Sequence, residues 1–289
     1  MKIVTDSGMN LVPEMAEGLD FRVVPHTITL QDKVYRSDID ISSEAFYQLL
    51  VETGAYPTTS LPSPGDFAAV FRDLAQSDPE ILCINMSSGL SATVSAARSA
   101  AELVPEARVT VIDTLTLSAV QGWMVEAAAR AARAGWSLDR TVDLVTRIGQ
   151  ASESIYTLSD LQYLIHGGRI SHMKGLIGAA LHLKPIIGVE KEKGTYDQLG
   201  IARTEKGAIK SLVRRMQHHH APESTLRVQI GHGDNQEAAE RLREQVDSVF
   251  DCHWLPIDSL TVVLGAHAGP TMVGIAYAPA ALFDELPTQ

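Results

Sequence analysis

Apolar positions along the chain fall into short runs separated by turn residues, and two periods alternate between them. "KIVTDS" (2–7) reads as a short buried strand whose polar end, Thr5-Asp6-Ser7, opens a loop. "FRVVPHTITL" (21–30) is strand-like, with β-branched Val23, Val24 and Ile28 and a bend at Pro25. "ISSEAFYQLL" (41–50) places Ser42 or Ser43 as the N-cap of a helix patterned on Phe46, Leu49 and Leu50. The prolines of "PTTSLPSP" (57–64) exclude a helix and predict a rigid loop bearing hydroxyls. Pro64 then suits the first turn of a helix carrying Phe67, Val70, Phe71 and Leu74. A buried strand "EILCIN" (80–85), a hydroxyl-rich turn and an alanine-rich helix from about Ser91 to Leu103 follow. The strand "ARVTVID" (107–113), a helix closing at Gly135 and a helix capped by Ser137 complete an alternation that runs to about residue 150. Such alternation is the signature of a doubly wound parallel sheet.

Beyond that point the rhythm changes. "SIYTLS" (154–159) reads as a strand, "DLQYLIHGG" (160–168) as a short helix ended by glycines, and "SHMKGLIGAALHLKP" (171–185) as a helix stopped by Pro185. "IIGVEKEKGTYDQLG" (186–200) predicts a hairpin turning near Lys193-Gly194. A basic helix (Lys206–Gln217), the strand "LRVQIGH" (226–232), a helix (Gln236–Val249) and the strands "DCHWLPI" (251–257) and "VGIAYAP" (273–279) follow. The expected fold class is therefore α/β in two domains. Residues 1–155 form an N-terminal α/β domain on a parallel sheet, and 156–289 a C-terminal α+β domain on a mixed or antiparallel sheet.

The net charge of −11 disfavours a general nucleic-acid or anionic-membrane surface. No signal-like or membrane-spanning apolar stretch develops, so a soluble cytoplasmic protein without integral membrane association is expected. Two cysteines support neither a disulfide framework nor a CxxC zinc site, and Cys83, inside an apolar run, reads as a buried free thiol.

The candidate chemistry concentrates in "INMSSGLSAT" (84–93), and three readings compete for it. Gly89-Leu90-Ser91-Ala92-Thr93 approaches the GxSxG nucleophile elbow in a strand–turn–helix setting, with Asp258 and His267 in the right chain order for a serine acyl hydrolase. Alternatively, the N-terminus of the following helix, with Ser87, Ser88, Ser91 and Thr93 around it, makes an uncharged cradle for a carboxylate or phosphate. Thr58, Thr59 and Ser60 offer a second set of hydroxyls to the same end. The bland reading is that Ser88 or Ser91 merely caps the helix. Arg169, after Gly167-Gly168, suits either a bidentate grip on an anion or a surface salt bridge. His267 precedes a Gly-Pro turn, and His218-His219-His220 reads as a solvated helix end rather than a metal site. There is no GxxxxGK[ST] loop and no HExxH pair.

Taken together, "TDS", "PTTSLPSP", "SSGLSAT", "VID", "LQYLIHGGRIS", "LKPII" and "HAGPT" resemble the DegV family in order and spacing, over a single unit of about residues 2–280. The resemblance implies a non-enzymatic carrier that buries a long-chain fatty acid in a tunnel. It presents the carboxylate to a separate fatty acid kinase for acyl phosphate formation, in the service of phospholipid metabolism. It implies no cofactor and no resident metal, only the bound fatty acid. By similarity, Thr59, Ser91 and His267 bind the carboxylate, while Arg169 sits near the carboxyl end and the kinase-docking surface; Thr58, Ser60 and Ser88 are secondary candidates. The alternatives are the hydrolase using Ser91 and a lipid-sensing regulator. The family more often shows "SSGLSGT", "TTSQPSP", "TDSTADLP" and "HxGPG" where this chain has Ala92, Leu61, "TDSGMNLVP" and Thr271. The carrier reading expects an elongated void reaching Ser91, with Leu90, Ile177, Leu181 and Ile187 as candidate tail-lining residues. Fourteen buried methylenes would contribute roughly 11 kcal/mol, partly offset by ordering and association.

Overall fold

The structure, a computed structural model, describes residues 1–170 and 183–287. The helix expected over 171–185 lies largely outside them; Lys184 and Pro185 belong instead to a strand. Among the described residues three sheets form. The first is fully parallel, in the order β2 (Phe21–Val24), β1 (Lys2–Asp6), β6 (Glu80–Asn85), β7 (Arg108–Asp113). Its central strands β1 and β6 are covered on both faces, which is why Ile3-Val4 and Ile81–Ile84 are consecutive apolar residues rather than an alternation. Helices α3 (Pro64–Ala75) and α4 (Thr93–Glu102) pack on one face through Phe67, Phe71, Ala97 and Ala100. Helices α5 (Ser118–Arg133) and α6 (Leu138–Ala151) cover the other with Val120, Trp123, Leu144 and Ile148 against Ile3, Leu82 and Ile84.

Serine caps set several helix starts. Ser42 accepts from the Ala45 amide at the start of α2 (Ser43–Thr53), Ser137 from Arg140 at α6, and Ser63 forms a reciprocal capping box with Asp66 at α3. A short helix α1 (Pro13–Ala16) follows the first strand.

Pro25 does more than bend a strand. The run 21–30 divides there into β2, in the parallel sheet, and β3 (Thr27–Leu30), the centre of a second sheet. That sheet is antiparallel, in the order β4 (Lys33–Arg36), β3, β5 (Thr58–Ser60). The segment 57–64 is thus not loop throughout: its prolines flank a three-residue edge strand, the one place in a sheet where they are tolerated.

The third sheet is mixed. Its order is β10 (Tyr196–Ala202), β9 (Lys184–Val189), β8 (Glu153–Thr157), β14 (Val273–Pro279), β11 (Thr225–His232), β12 (Asp251–Trp254), with β13 (Asp258–Ser259) also beside β11. Only β12 and β13 run parallel to their neighbour. Helices α8 (Glu205–His219) and α9 (Gln236–Asp247) cover one face. Toward α5 and α6, Ala276 and Ala278 of β14 join the core that holds Trp123 and Ile148. Helix α5 therefore lies between two sheets, buried almost all round, and its alanines allow the close approach. Trp123 Nε1 donates to Gln229 Oε1 across this junction at 3.0 Å.

Helices α7 (Gln162–His166) and α10 (Val262–Ala268) close a further core with α2 and β3, around Ile28, Phe46, Tyr47, Leu164, Val263 and Leu264. Residues 262–268 show no readable element in the sequence, since two valines and a glycine are poor helix formers; packing decides the helix. Cys83 is buried and both cysteines are free. No helix among the described residues is long and apolar enough to cross a membrane.

Candidate functional site

At the carboxyl ends of β1 and β6, the buried Asp6 carboxylate accepts from the Gly8 amide (2.7 Å), the Met86 amide (2.9 Å), Asn85 Nδ2 (3.0 Å) and Gln121 Nε2 (3.3 Å). This brace fixes both strand ends beneath the hydroxyl-rich turn. The chain then coils once, with the Leu90 and Ser91 amides donating to the Ser87 carbonyl. Gly89 is required by close approach: a Cβ there would lie 2.3 Å from the Lys193 carbonyl of the β9–β10 turn. Ser87 Oγ donates to the Gly194 carbonyl at 2.7 Å, so this hydroxyl holds the hairpin rather than facing a ligand. Ser88 is exposed, its amide donating to Asp113.

The helix after the turn starts at Thr93, two residues later than expected, and its N-cap Ala92 offers no side-chain hydrogen bond. Neither Ser88 nor Ser91 caps it. Ser91 points inward instead, its Oγ 2.7 Å from Thr93 Oγ1.

Strand alternation sorts the second hydroxyl set. Thr59, paired with Ile28, is half-buried, whereas Thr58 and Ser60 are exposed. Thr59 Oγ1 lies 2.9 Å from Nε2 of His267, which the last turn of α10 buries. Among the described residues His267 Nδ1 is buried without a partner, and Gly167 lies so close that a Cβ there would sit 2.0 Å away. An unpaired buried N–H is the costlier orphan, so the hydrogen-bond network assigns the proton to Nε2, which donates to Thr59. The Thr59 hydroxyl proton is then free to face the site. Burial, the nearby Arg169 and His26 push the His267 imidazole down to about 3, so it is neutral at neutral pH.

Arg169 leans across the opening from the end of α7. Its Nη1 donates to the Gly167 carbonyl (2.6 Å) and its Nε to the Leu90 carbonyl (3.4 Å), tying the two glycine-containing motifs together.

Thr59, Ser91, Arg169 and His267 border one cavity, together with His26 and an apolar wall of Met86, Leu90, Leu117, Tyr196, Val263 and Leu264. Thr58, Ser60 and Ser88 do not line it. His26 has no counterpart in the sequence reading; the one signal was a polar residue interrupting a strand-like run right after Pro25. The cavity volume is about 20 Å³, room for roughly one water. The elongated void expected to reach Ser91 is not seen among the described residues. Leu90 lines the cavity, Ile187 lies in the adjoining core, and Ile177 and Leu181 fall outside the described residues.

A hydrolytic triad does not form. Ser91 bonds to Thr93 and His267 to Thr59, while Asp258 accepts from Asn10 and the Ser259 amide. An imidazole without an orienting carboxylate, held neutral far below its ordinary range, is a poor general base. His219 and His220 contact Tyr277 at the end of α8.

The model of the DegV family, described as "Uncharacterised protein, DegV family", matches residues 1–280. The chain belongs to the DegV family. A DegV domain-containing protein of Deinococcus radiodurans is 32% identical over 279 residues, 96% of each chain. A DegV family protein from Thermus thermophilus, described by its fatty acid binding, has a TM-score of 0.87 at 30% identity, over 96% of this chain and 99% of that one. The Fatty Acid Kinase (Fak) B3 protein of Streptococcus pneumoniae, loaded with linoleic acid, shares the fold with a TM-score of 0.80 at 21% identity, over 96% of this chain and 99% of that one. Against the usual DegV motifs, the methyl of Ala92 and the side chain of Leu61 face solvent, and Thr271 accepts from the Ser159 amide at 2.9 Å. Thr271 thus ties the β8–α7 connection to the turn after His267.

Proposed function

We propose that this protein binds a long-chain fatty acid, holds its carboxylate at the Thr59 and Ser91 hydroxyls, with His267 orienting Thr59 and Arg169 as the nearby cation, and presents it to a fatty acid kinase that forms the acyl phosphate. The observation that carries this reading is the convergence of those four side chains, from β5, the β6–α4 turn, the end of α7 and α10, on one cavity backed by an apolar core. The neighbour from Thermus thermophilus supports the ligand class, and the likeness in fold to the Fak B3 protein is consistent with the kinase role. On this reading the chain acts in the cytoplasm as two domains dividing near residue 155. Thr59 and Ser91 come from the first and Arg169 and His267 from the second, so the cradle lies where ligand sites commonly form, at a domain junction.

The chemistry fits a carrier. Hydroxyl donors backed by neutral imidazoles, with Arg169 as the nearby cation, hold a carboxylate without enclosing it in a salt bridge. One of its oxygens then remains able to attack a phosphoryl group. Affinity comes mostly from the tail, roughly 0.8 kcal/mol per buried methylene, while the head group sets orientation. Because the cavity is small, the tail enters by displacing core side chains.

Two measurements test the proposal. Denaturing extraction of the purified protein followed by lipid mass spectrometry should return a fatty acid near one equivalent. With a bacterial fatty acid kinase, ATP and labelled oleate, the protein should support acyl phosphate formation, and Thr59→Ala with Ser91→Ala should lose it while remaining folded. A lipid-free protein that does not bind added oleate, or undiminished phosphorylation in the double variant, would refute the assignment.

A further inference from the structure

We propose that His26 is a positioning residue for the cradle: acting through Thr93, it fixes the Ser91 hydroxyl as a hydrogen-bond donor into the cavity, which selects an ionised carboxylate over a neutral alcohol head group. The inference rests on the fatty-acid reading above.

His26 follows the Pro25 bend and is only 3% exposed. Its surroundings form a single file of hydrogen bonds. Ser7 Oγ accepts the His26 backbone N–H at 2.9 Å and lies 3.0 Å from Nδ1. On the other side of the ring, Nε2 is 3.1 Å from Thr93 Oγ1, itself 2.7 Å from Ser91 Oγ. Each hydroxyl has one proton to give, so the tautomer of the imidazole sets the direction of the whole file.

The two directions are not equivalent. With the proton on Nδ1, that N–H would donate to Ser7, and the Ser7 proton would be left over; among the described residues Ser7 Oγ has no hydrogen-bond partner besides His26. With the proton on Nε2, Ser7 O–H donates to Nδ1, Nε2–H to Thr93, and Thr93 O–H to Ser91. Every buried donor is then used, and the Ser91 proton is left to point at the cavity. Reversal would turn the Ser91 lone pairs toward the cavity and repel an anion. Burial lowers the His26 imidazole from its ordinary value, with Arg169 acting in the same sense and Asp6 opposing, so the ring is neutral and its tautomer meaningful. The result parallels His267 and Thr59: two neutral imidazoles, each turning one hydroxyl into a donor.

Two experiments decide it. Nitrogen-15 NMR of histidine-labelled protein should show His26 carrying its proton on Nε2; a proton on Nδ1 overturns the proposal. In oleate titrations, His26→Leu and Ser91→Ala should each weaken binding about tenfold. The double variant should be no weaker than Ser91→Ala alone, because His26 acts through Ser91. His26→Gln, whose amide can stand in for Nε2–H, should recover most of the loss. His26→Leu should also narrow the preference for oleate over oleyl alcohol, which a merely structural role would not do. If His26→Leu fails to fold, the NMR assignment and the Gln variant carry the test. Multiplicative losses in the double variant, or an unchanged preference, overturn the proposal while leaving the carrier reading intact. Failure of the wild-type protein to bind oleate ends both.

Discussion

Gly167→Ala isolates the packing of the imidazole that orients Thr59. Gly167 has φ −72°, ordinary for any residue, so the backbone itself accepts alanine. By restricting the unfolded chain, the substitution would by itself stabilise the protein by about 0.4–1 kcal/mol. Against this, the new Cβ would lie 2.0 Å from His267 Nδ1 and 2.8 Å from Cε1. Carbon contacts sit at about 3.5–4.0 Å, so the ring must move by roughly 1.5 Å. It cannot do so in place, because Thr59 Oγ1 stands 2.9 Å from Nε2 on the far side. Overpacking costs about 1–3 kcal/mol and the broken hydrogen bond about 0.5–1.5. The clash wins, leaving a net loss of about 1–3 kcal/mol and a melting temperature lower by roughly 2–5 °C. Oleate affinity should fall about tenfold as Thr59 loses its orientation. Gly168→Ala is the control. Its φ of +75° makes alanine strained, yet nothing lies within 4 Å of the new Cβ. It should destabilise by about 1–2 kcal/mol and leave oleate binding alone. Thermal melts and fluorescence titration read both effects. Should Gly167→Ala melt at or above wild type with unchanged affinity, the imidazole does not lie where this reasoning needs it.

Acid should weaken the fold through the same residue. The His267 imidazole is held at about 3 against an ordinary 6.5, so between those values the unfolded chain binds the proton and the folded chain does not. Stability is thus complete above about pH 6.5 and declines as pH falls, by up to about 2 kcal/mol at pH 5. His26 acts in the same sense, and Asp38 and Asp258, whose carboxyls burial pushes up, in the opposite one. Urea unfolding at pH 7.5, 6 and 5 should show a shallower decline for His267→Gln than for wild type; identical slopes would contradict the buried neutral imidazole. Away from the cradle, Glu126 is buried between Arg130 (3.0 Å) and Arg227 (2.5 Å). Glu126→Ala leaves buried Arg227 without its carboxylate and should cost about 3–5 kcal/mol, with oleate affinity changed less than about twofold. A variant as stable as wild type in urea would show that the ion triad is not the fastener between α5 and the third sheet.

The parallel sheet was legible because its central strands are buried on both faces, leaving consecutive apolar residues at Ile3-Val4 and Ile81–Ile84. Helix starts were legible where a serine does the capping, as at Ser42 and Ser137. The same reasoning misplaced the start of α4: Ser91 is a good N-cap by type, but its hydroxyl is engaged inward by Thr93. The strand Thr58–Ser60 is too short to show an alternation and exists because β3 offers it an edge. For that reason sequence could not separate Thr59 from its exposed neighbours Thr58 and Ser60. Helix α10 runs against local propensity, so tertiary packing alone carries His267 into place. Motif order brought Thr59, Ser91, Arg169 and His267 to attention, and they border one cavity. His26 belongs to no motif, and its role exists only because Pro25 switches the chain between two sheets.

The two ends of the proposed ligand meet unlike surroundings. At the head end, Thr59 is already held by His267, and Ser91 by Thr93, which His26 holds in turn, so that Thr59 and Ser91 each have one proton to spare. Little reorganisation is needed there, and the polar groups are not stranded when no carboxylate is present. At the tail end, Met86, Leu90, Leu117, Tyr196, Val263 and Leu264 close on a cavity of about 20 Å³. On the proposed reading a long chain displaces them, its methylenes supplying roughly 0.8 kcal/mol each. A short acid would find the same donors without that driving force. Selection for chain length can therefore arise from the cost of opening the apolar core, while the hydroxyls and imidazoles select only for an anionic head.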